Sequence, residues 1–460
     1  MIDTYTKAKE CLDSFIDYER KVKFSYKKKI KLSRMLWLLE ALGIPYQKLK
    51  TIHIAGTKGK GSTAHACSHI LAASGLRVGL YTSPHFFDFR ERIQIVKSKQ
   101  AGVFSSLIEK KEATRIVNEF RCKLDKLKAP KSLGQISFFE FYTAVAFKYF
   151  LDKKVDIAVL ETGLGGRLDA TNVITPLVSI ITHIGYDHTD KLGKSLAKIA
   201  REKAGIIKKN TPLVCSSQES ATLGEIKKKC RVQNAPFDLF GKDFIPENIR
   251  LKKDHTLFDF KSKNYHLKDI KINLKGKKQV ENVCCALSAS LILKERGVIK
   301  KGLEFRKSVN GQALEGRFEV MSPDEPLVIV DIAHNPSSFS VLNDNLKFYF
   351  PNKRIILIFS CAQDKDVKEM FKEIEYSHLI LTKFSNSRAY EPEQIKRIAK
   401  LKEAAMAKDI KGAFALAKKI YTRDYAIVIS GSLFLVAEAK KSLVSYRKQI
   451  RCRGQACPAL

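Results

Sequence analysis

The stretch "KTIHIAGTKGKGSTAHACSHILAASG", residues 50–75, constrains the fold more than any other. A short β-branched run ends in a glycine-rich turn, and a helix of small residues follows and closes at Gly75. A strand that passes directly into a helix is the first half of a βαβ unit, which calls for a parallel sheet covered on both faces. The turn also carries chemistry. Free N–H groups at a helix N-terminus, with the helix dipole behind them, attract phosphate. Gly56, Gly59 and Gly61 let the backbone approach a ligand closely, Lys60 adds a full charge, and Ser62 offers a hydroxyl to phosphate or magnesium. The spacing nevertheless departs from the ordinary phosphate loop, in which four residues separate the first Gly from Gly-Lys and Ser or Thr follows directly. Ile54 stands where that first Gly belongs, and Gly61 separates Lys60 from Ser62. Two readings follow: a nucleotide site of different design, or a plain strand-to-helix turn.

The alternation continues along the chain. "RVGLYTSPH", "VDIAVLETG" and "PLVSIITHIG" read as strands, and "SFFEFYTAVAFKYFLDKK" and "KSLAKIAREKAGIIK" as helices. Residues 5–43 read as helical, with Leu32, Met35, Leu36 and Leu39 at helical spacing. Residues 236–275 change to short alternating runs that predict antiparallel strands. A second α/β series starts near Phe318 with "PLVIVDIA", "RIILIFS", "HLILTKF" and "DYAIVISG", and it reads as a smaller Rossmann-like sheet. A chain of 460 residues exceeds one ordinary core. The expected division is 1–304, 305–445 and a loose basic tail over 446–460.

Hydrophobic residues make up 45% and charged residues 28%, the balance of a soluble globular protein. The N-terminus lacks the apolar core of a signal peptide, and "AIVISGSLFLVAEAK" is too short to span a bilayer, so no membrane contact and a cytoplasmic location are expected. The ten cysteines show no metal-like spacing and predict reduced, mostly buried thiols. The net charge of +35 would suit nucleic acid or small polyanions. The lysines are dispersed and no aromatic-basic motif accompanies them, so a solvated surface is the simpler account and nucleic acid is not expected.

Further motifs follow the glycine turn: "TSPHFFDFRERI" at 82–93, "ETGLGGRLDATNVITP" at 161–176, "ITHIGYDHTDKLGKSLAKIAREKAGI" at 181–206 and "DIAHNP" at 331–336. On these residues the sequence resembles the folylpolyglutamate synthase and dihydrofolate synthase family of Mur-type, ATP-dependent amide ligases. The resemblance runs from about Leu32 to about Ala437, and the family's phosphate loop carries the same departure in spacing. It implies a Mur-ligase-like α/β fold, a P-loop-type ATPase domain with a mostly parallel sheet followed by a smaller Rossmann-like domain.

The resemblance also implies roles. Gly56, Thr57, Lys58, Gly59, Lys60, Gly61 and Ser62 would bind ATP together with Asn282, Arg317, Asp331 and His334. Ser62, Ser83, Glu161, His188 and Lys203 would serve two magnesium ions, with Lys203 carbamylated, and Lys60, Glu161, His188 and Lys203 would be catalytic. Ser137, Phe138, Phe139, Glu140, Arg167, Leu168 and Asp169 would line the pterin or pteroate pocket. The residues themselves allow blander readings: a strand-end acid at Glu161, a structural His188, a surface Lys203, and core aromatics at Phe138 and Phe139. The implied reaction joins L-glutamate to a folate or dihydropteroate carboxylate through an acyl phosphate, in a monomer. Rivals are a cell-wall ligase of the same fold, a nucleic-acid-dependent NTPase, and a non-catalytic nucleotide-binding module.

Overall fold

The computed structural model describes residues 2–18, 25–99, 102–127, 130–305, 314–322 and 326–454. The chain divides into two compact units, Met1–Gln312 and Ala313–Leu460. The first holds β1 (Thr51–Ala55), β2 (Val78–Tyr81), β3 (Ile93–Lys99), β4 (Gly102–Leu107), β5 (Ile157–Glu161), β6 (Val178–Ile181), β7 (Leu213–Cys215) and β8 (Phe237–Leu239). They form one sheet in the order β4-β3-β2-β5-β1-β6-β7-β8. The β2–β5–β1–β6–β7–β8 part is parallel, whereas β3 and β4 add antiparallel strands at one edge. β1, β2, β5, β6 and β7 are buried along their whole length, which is why their sequences are mostly apolar, with Thr51, His53, Glu161 and Ser179 as buried polar exceptions.

The helix Lys60–Ala73 packs between this sheet and the helix Lys277–Glu295. Ser62, Ala64, Ala66, Cys67 and Ala72 on it are all buried, so small residues are needed on every side rather than on one stripe. Beyond β8, β9 (Phe244–Leu251), β10 (Thr256–Ser262) and β11 (His266–Ile272) form a separate antiparallel sheet packed on the Lys277–Glu295 helix. Phe258, Phe260, Ile270 and Ile272 face inward there, and the β9–β10 turn closes with Lys252 N–H donating to the His255 carbonyl.

The second unit contains β12 (Glu319–Ser322), β13 (Val328–Val330), β14 (Arg354–Phe359), β15 (His378–Leu381), β16 (Ala405–Met406) and β17 (Tyr425–Ser430). Their order is β12-β13-β17-β14-β15-β16, parallel except for β12.

Three expectations change. The described residues of 5–43 hold three helices, Tyr5–Asp13, Tyr26–Lys29 and Leu32–Ala41, with non-helical residues at 14–18 and at 30 and 31. β8, expected among antiparallel strands, extends the parallel sheet beside β7. The tail expected to be loose from residue 446 continues the helix Leu433–Gly454. "YRKQIRCR" holds good helix formers and no Gly or Pro before Gly454, so nothing in it stops a helix. Residues 455–460 lie outside the described residues.

Candidate active site

β1 lies in the middle of the parallel sheet, and Ile54 pairs with Glu161 while Ala55 pairs with Ile181. β1, β5 and β6 therefore end together, and the loops after them meet at the carboxyl edge, where open α/β sheets bind ligands. Two glycines of the 56–61 turn are required by their surroundings. Gly59 has φ +85°, and a Cβ on it would lie 2.2 Å from Asn282 Oδ1. A Cβ on Gly56 would lie 1.8 Å from Thr182 Oγ1. Thr57 and Lys58 N–H both donate to the His183 carbonyl, at 2.9 and 3.1 Å. Those two amides hold the loop to β6's extension and are not aimed at a ligand. The first i→i−4 bond of the following helix is Thr63 N–H to the Gly59 carbonyl, at 2.8 Å. Amides 59–62 thus have no acceptor within the helix, the arrangement that suits an anion at a helix N-terminus.

Glu161 ends β5 with only 4% exposure, and Lys60 Nζ stands 4.0 Å from its Oε1. Ser83 N–H donates to Glu161 Oε2 at 3.1 Å, which brings the loop after β2 to the same carboxylate. Lys203 is buried and donates from Nζ to the Gly56 carbonyl at 2.6 Å. Burial, helped by the nearby Lys60 charge, pulls its ammonium down to about 7. A fraction of it is a neutral amine near neutral pH. His188 has a left-handed backbone, φ +48°, and its N–H donates to Asp187 Oδ1 at 3.0 Å. Among the described residues no three His, Cys, Asp or Glu side chains converge as a metal cage. The Glu161 carboxylate and the Ser62 hydroxyl are oxygen donors of the type magnesium prefers.

The residues expected against a pterin divide. Ser137 and Glu140 form a capping box on the helix Phe138–Asp152. Glu140 also takes Arg34 Nε at 2.8 and 2.9 Å, so its oxygens are fully engaged. Phe138 is 2% exposed and packs on Tyr142, as a core residue does. Asp169 is buried, and its carboxylate accepts from Gly163 N–H, Leu164 N–H, Thr171 N–H and Thr171 Oγ1. These four brace the turn after Glu161 and leave no oxygen aimed outward. Phe139, half-buried, lies under Gly163, where a Cβ would come within 2.6 Å of its ring. Arg167 is exposed and pairs with Glu202 at 2.8 Å, and Leu168 is half-buried.

In the second unit Asp331 is buried, and its carboxylate accepts from Phe318 N–H at 2.8 Å and Ala333 N–H at 2.7 Å. Burial raises its pKa against the pull of Arg317. His334 Nδ1 bonds the Ile332 carbonyl at 2.8 Å, and Asn335 caps the helix Pro336–Tyr349. Thr182, His183, His53 and Thr171 were not singled out by sequence reasoning. A polar residue at the centre of the apolar β1 was the signal available for His53.

Two domain families match the chain: the Mur ligase middle domain over residues 139–290 and the Mur ligase glutamate ligase domain over 316–433. A dihydrofolate synthase/folylpolyglutamate synthase of Bacillus subtilis is 32% identical over 90% of this chain and 94% of its own length. The chain belongs to the folylpolyglutamate synthase and dihydrofolate synthase family. A folylpolyglutamate synthase of Lacticaseibacillus casei is 33% identical over 89% of this chain and 94% of its own. Among solved structures of the family, an FPGS–AMPPCP–folate complex superposes with a TM-score of 0.81 at 29% identity, covering 96% of this chain and all of that one. The folylpolyglutamate synthase of Mycobacterium tuberculosis with ADP gives 0.83 at 26% identity, covering 95% and 98%. The Mur-ligase fold expected from the motifs is the fold observed. No helix among the described residues is long and apolar enough to cross a membrane.

Proposed function

We propose that this chain is an ATP-dependent ligase that joins L-glutamate to the carboxylate of a folate or dihydropteroate. The observation that carries this reading is the buried Glu161 facing Lys60 across the open N-terminus of the helix Lys60–Ala73. Amides 59–62 and Lys60 hold the β- and γ-phosphates, and Asn282, packed on Gly59, keeps that loop in its conformation. The acceptor carboxylate attacks the γ-phosphorus, forming an acyl phosphate and releasing ADP. The α-amine of glutamate then adds to the acyl carbon, and phosphate leaves as the amide forms. Orientation and charge stabilisation suffice for both steps, and neither needs a protein nucleophile.

Magnesium, when bound with the nucleotide, neutralises phosphate charge. Ser62 and Glu161 are the residues that would hold it, with Ser83 fixing the Glu161 oxygen. His188 and a modified Lys203 would serve a second ion. The depressed ammonium of Lys203 favours this modification, because a neutral amine adds to carbon dioxide and releases one proton to give a carbamate. The carbamate nitrogen keeps a hydrogen for the Gly56 carbonyl. Arg317, Asp331 and His334 are assigned to the nucleotide. For the acceptor ring, Phe139, Arg167 and Leu168 remain from the original set. The enzyme is read as a cytoplasmic monomer.

The test is ADP release with ATP, magnesium and L-glutamate, with dihydropteroate and tetrahydrofolate as separate acceptors and the product mass read for each. Turnover with both makes the enzyme bifunctional, and turnover with one fixes its acceptor. Turnover with neither, or turnover driven by RNA instead, overturns the reading.

A further inference from the structure

His53 lies at the centre of β1, between Leu160 of β5 and Ser179 of β6, and is completely buried. Its Nε2 is 2.8 Å from Thr171 Oγ1. Thr171 Oγ1 in turn donates to Asp169 Oδ1 at 2.6 Å, and Asp169 Oδ2 accepts Gly163 and Leu164 N–H, both at 2.9 Å. The directions follow from chemistry. Both Asp169 oxygens take N–H donors, so the single hydroxyl proton of Thr171 goes to Asp169 and its lone pair receives the His53 Nε2–H. His53 Nδ1 is then the bare nitrogen, and it has no partner among the described residues. An aliphatic residue would fill this place without a buried orphan acceptor, which costs stability. Filling space is therefore a poor account of His53.

The chain of bonds ends at the two amides that follow Glu161 and Thr162. The same turn packs Gly166 against the Lys203 backbone, where a Cβ would fall 2.8 Å from the Lys203 carbonyl oxygen. Arg167 N–H reaches the Glu202 carbonyl at 2.7 Å. We propose that His53 and Thr171 are positioning residues: their relay to Asp169 ties the strand that carries the phosphate loop to the turn that aims Glu161 and supports Lys203. It sets the acceptor side of the site relative to the phosphate side. The inference rests on the ligase reading for its kinetic consequence only.

Thr171→Val keeps the shape and removes the hydroxyl, whereas Thr171→Ser keeps the hydroxyl. The valine variant should lose about 10- to 100-fold in kcat, the cost of a small misplacement near the reacting groups. KM for ATP should stay near wild type, and the serine variant should recover most of the turnover. Hydrogen exchange gives a readout independent of activity: the Gly163 and Leu164 amides should exchange faster in Thr171→Val and not in Thr171→Ser. A valine variant with wild-type kcat and a lowered Tm would reduce the relay to a stabilising contact. A serine variant as slow as the valine one would overturn it as well. Should the valine variant fail to fold, Thr171→Ala is judged by the same criteria. If the wild type ligates no folate, the ligase reading fails, and unchanged exchange at Gly163 and Leu164 would separately end the relay.

Discussion

Gly59 shows how one missing atom sets a site. Its φ of +85° and the Asn282 amide against it leave no room for a side chain. Gly59→Ala should raise KM for ATP at least 10-fold and cost about 1–3 kcal/mol, read from ATP titration and urea unfolding. At Glu161 the expectation is different. Glu161→Gln keeps the shape and the Ser83 contact, so the folded state should persist while kcat falls by about 100-fold or more. Intact ligation in both this variant and Lys60→Met would remove the assigned centre. His53 adds a pH signature. Burial pulls its pKa from 6.5 down to about 3, so the unfolded chain takes up a proton as pH drops below 6.5 and the folded chain does not. Stability is full above that value and declines as acid is added. Between pH 6.5 and 4 the loss is about 3 kcal/mol, at roughly 1.4 kcal/mol per unit. Urea unfolding of His53→Gln should show a correspondingly shallower acid slope than wild type.

Helices of the first unit are joined by a buried ion pair. Arg34, on the helix Leu32–Ala41, meets Glu140 on the helix Phe138–Asp152 and also donates to the Leu133 and Lys29 carbonyls. Removing one charge leaves the other buried and unpaired, so Arg34→Met should lose about 3–5 kcal/mol by urea unfolding. This pair also marks the limit of the sequence reading. The apolar runs of β1, β5, β6, β14 and β17 were legible because they are buried on both faces. The β3–β4 hairpin was not, because "VKSKQAGVF" carries only weak alternation. Lys60 stood out by its glycine turn and Glu161 by its strand end, whereas Ser83 entered through the family resemblance alone. Ser137 and Glu140 were assigned to a substrate, although S-x-x-E before a helix is the capping-box spacing. Residue type shows what an oxygen can bind, but not which way it points. Asp169 shows the same limit: its carboxylate accepts from the amides of its own turn and from the Thr171 hydroxyl.

On the scale of the whole molecule, a charge of +35 is large enough to act at a distance at low salt. ATP and polyglutamylated folates are polyanions, and a positive field speeds their encounter. The screening length shrinks from about 30 Å at 0.01 M salt to about 3 Å at 1 M. Raising salt over that range should lower kcat/KM for ATP while kcat changes little. An unchanged kcat/KM would show the lysines to be only a solvated coat.

The small antiparallel sheet has a practical use. β9 and β10 rest on the helix Lys277–Glu295, whose other end holds Asn282 at the phosphate loop. The turn between β10 and β11, at Lys263 and Asn264, is exposed and lies at the C-terminus of that helix, where the Asn264 amide donates to Glu295. A fluorescent protein inserted between those two residues would sit on the far end of a rigid rod from the nucleotide, a ready position for a genetically encoded sensor of ligand occupancy.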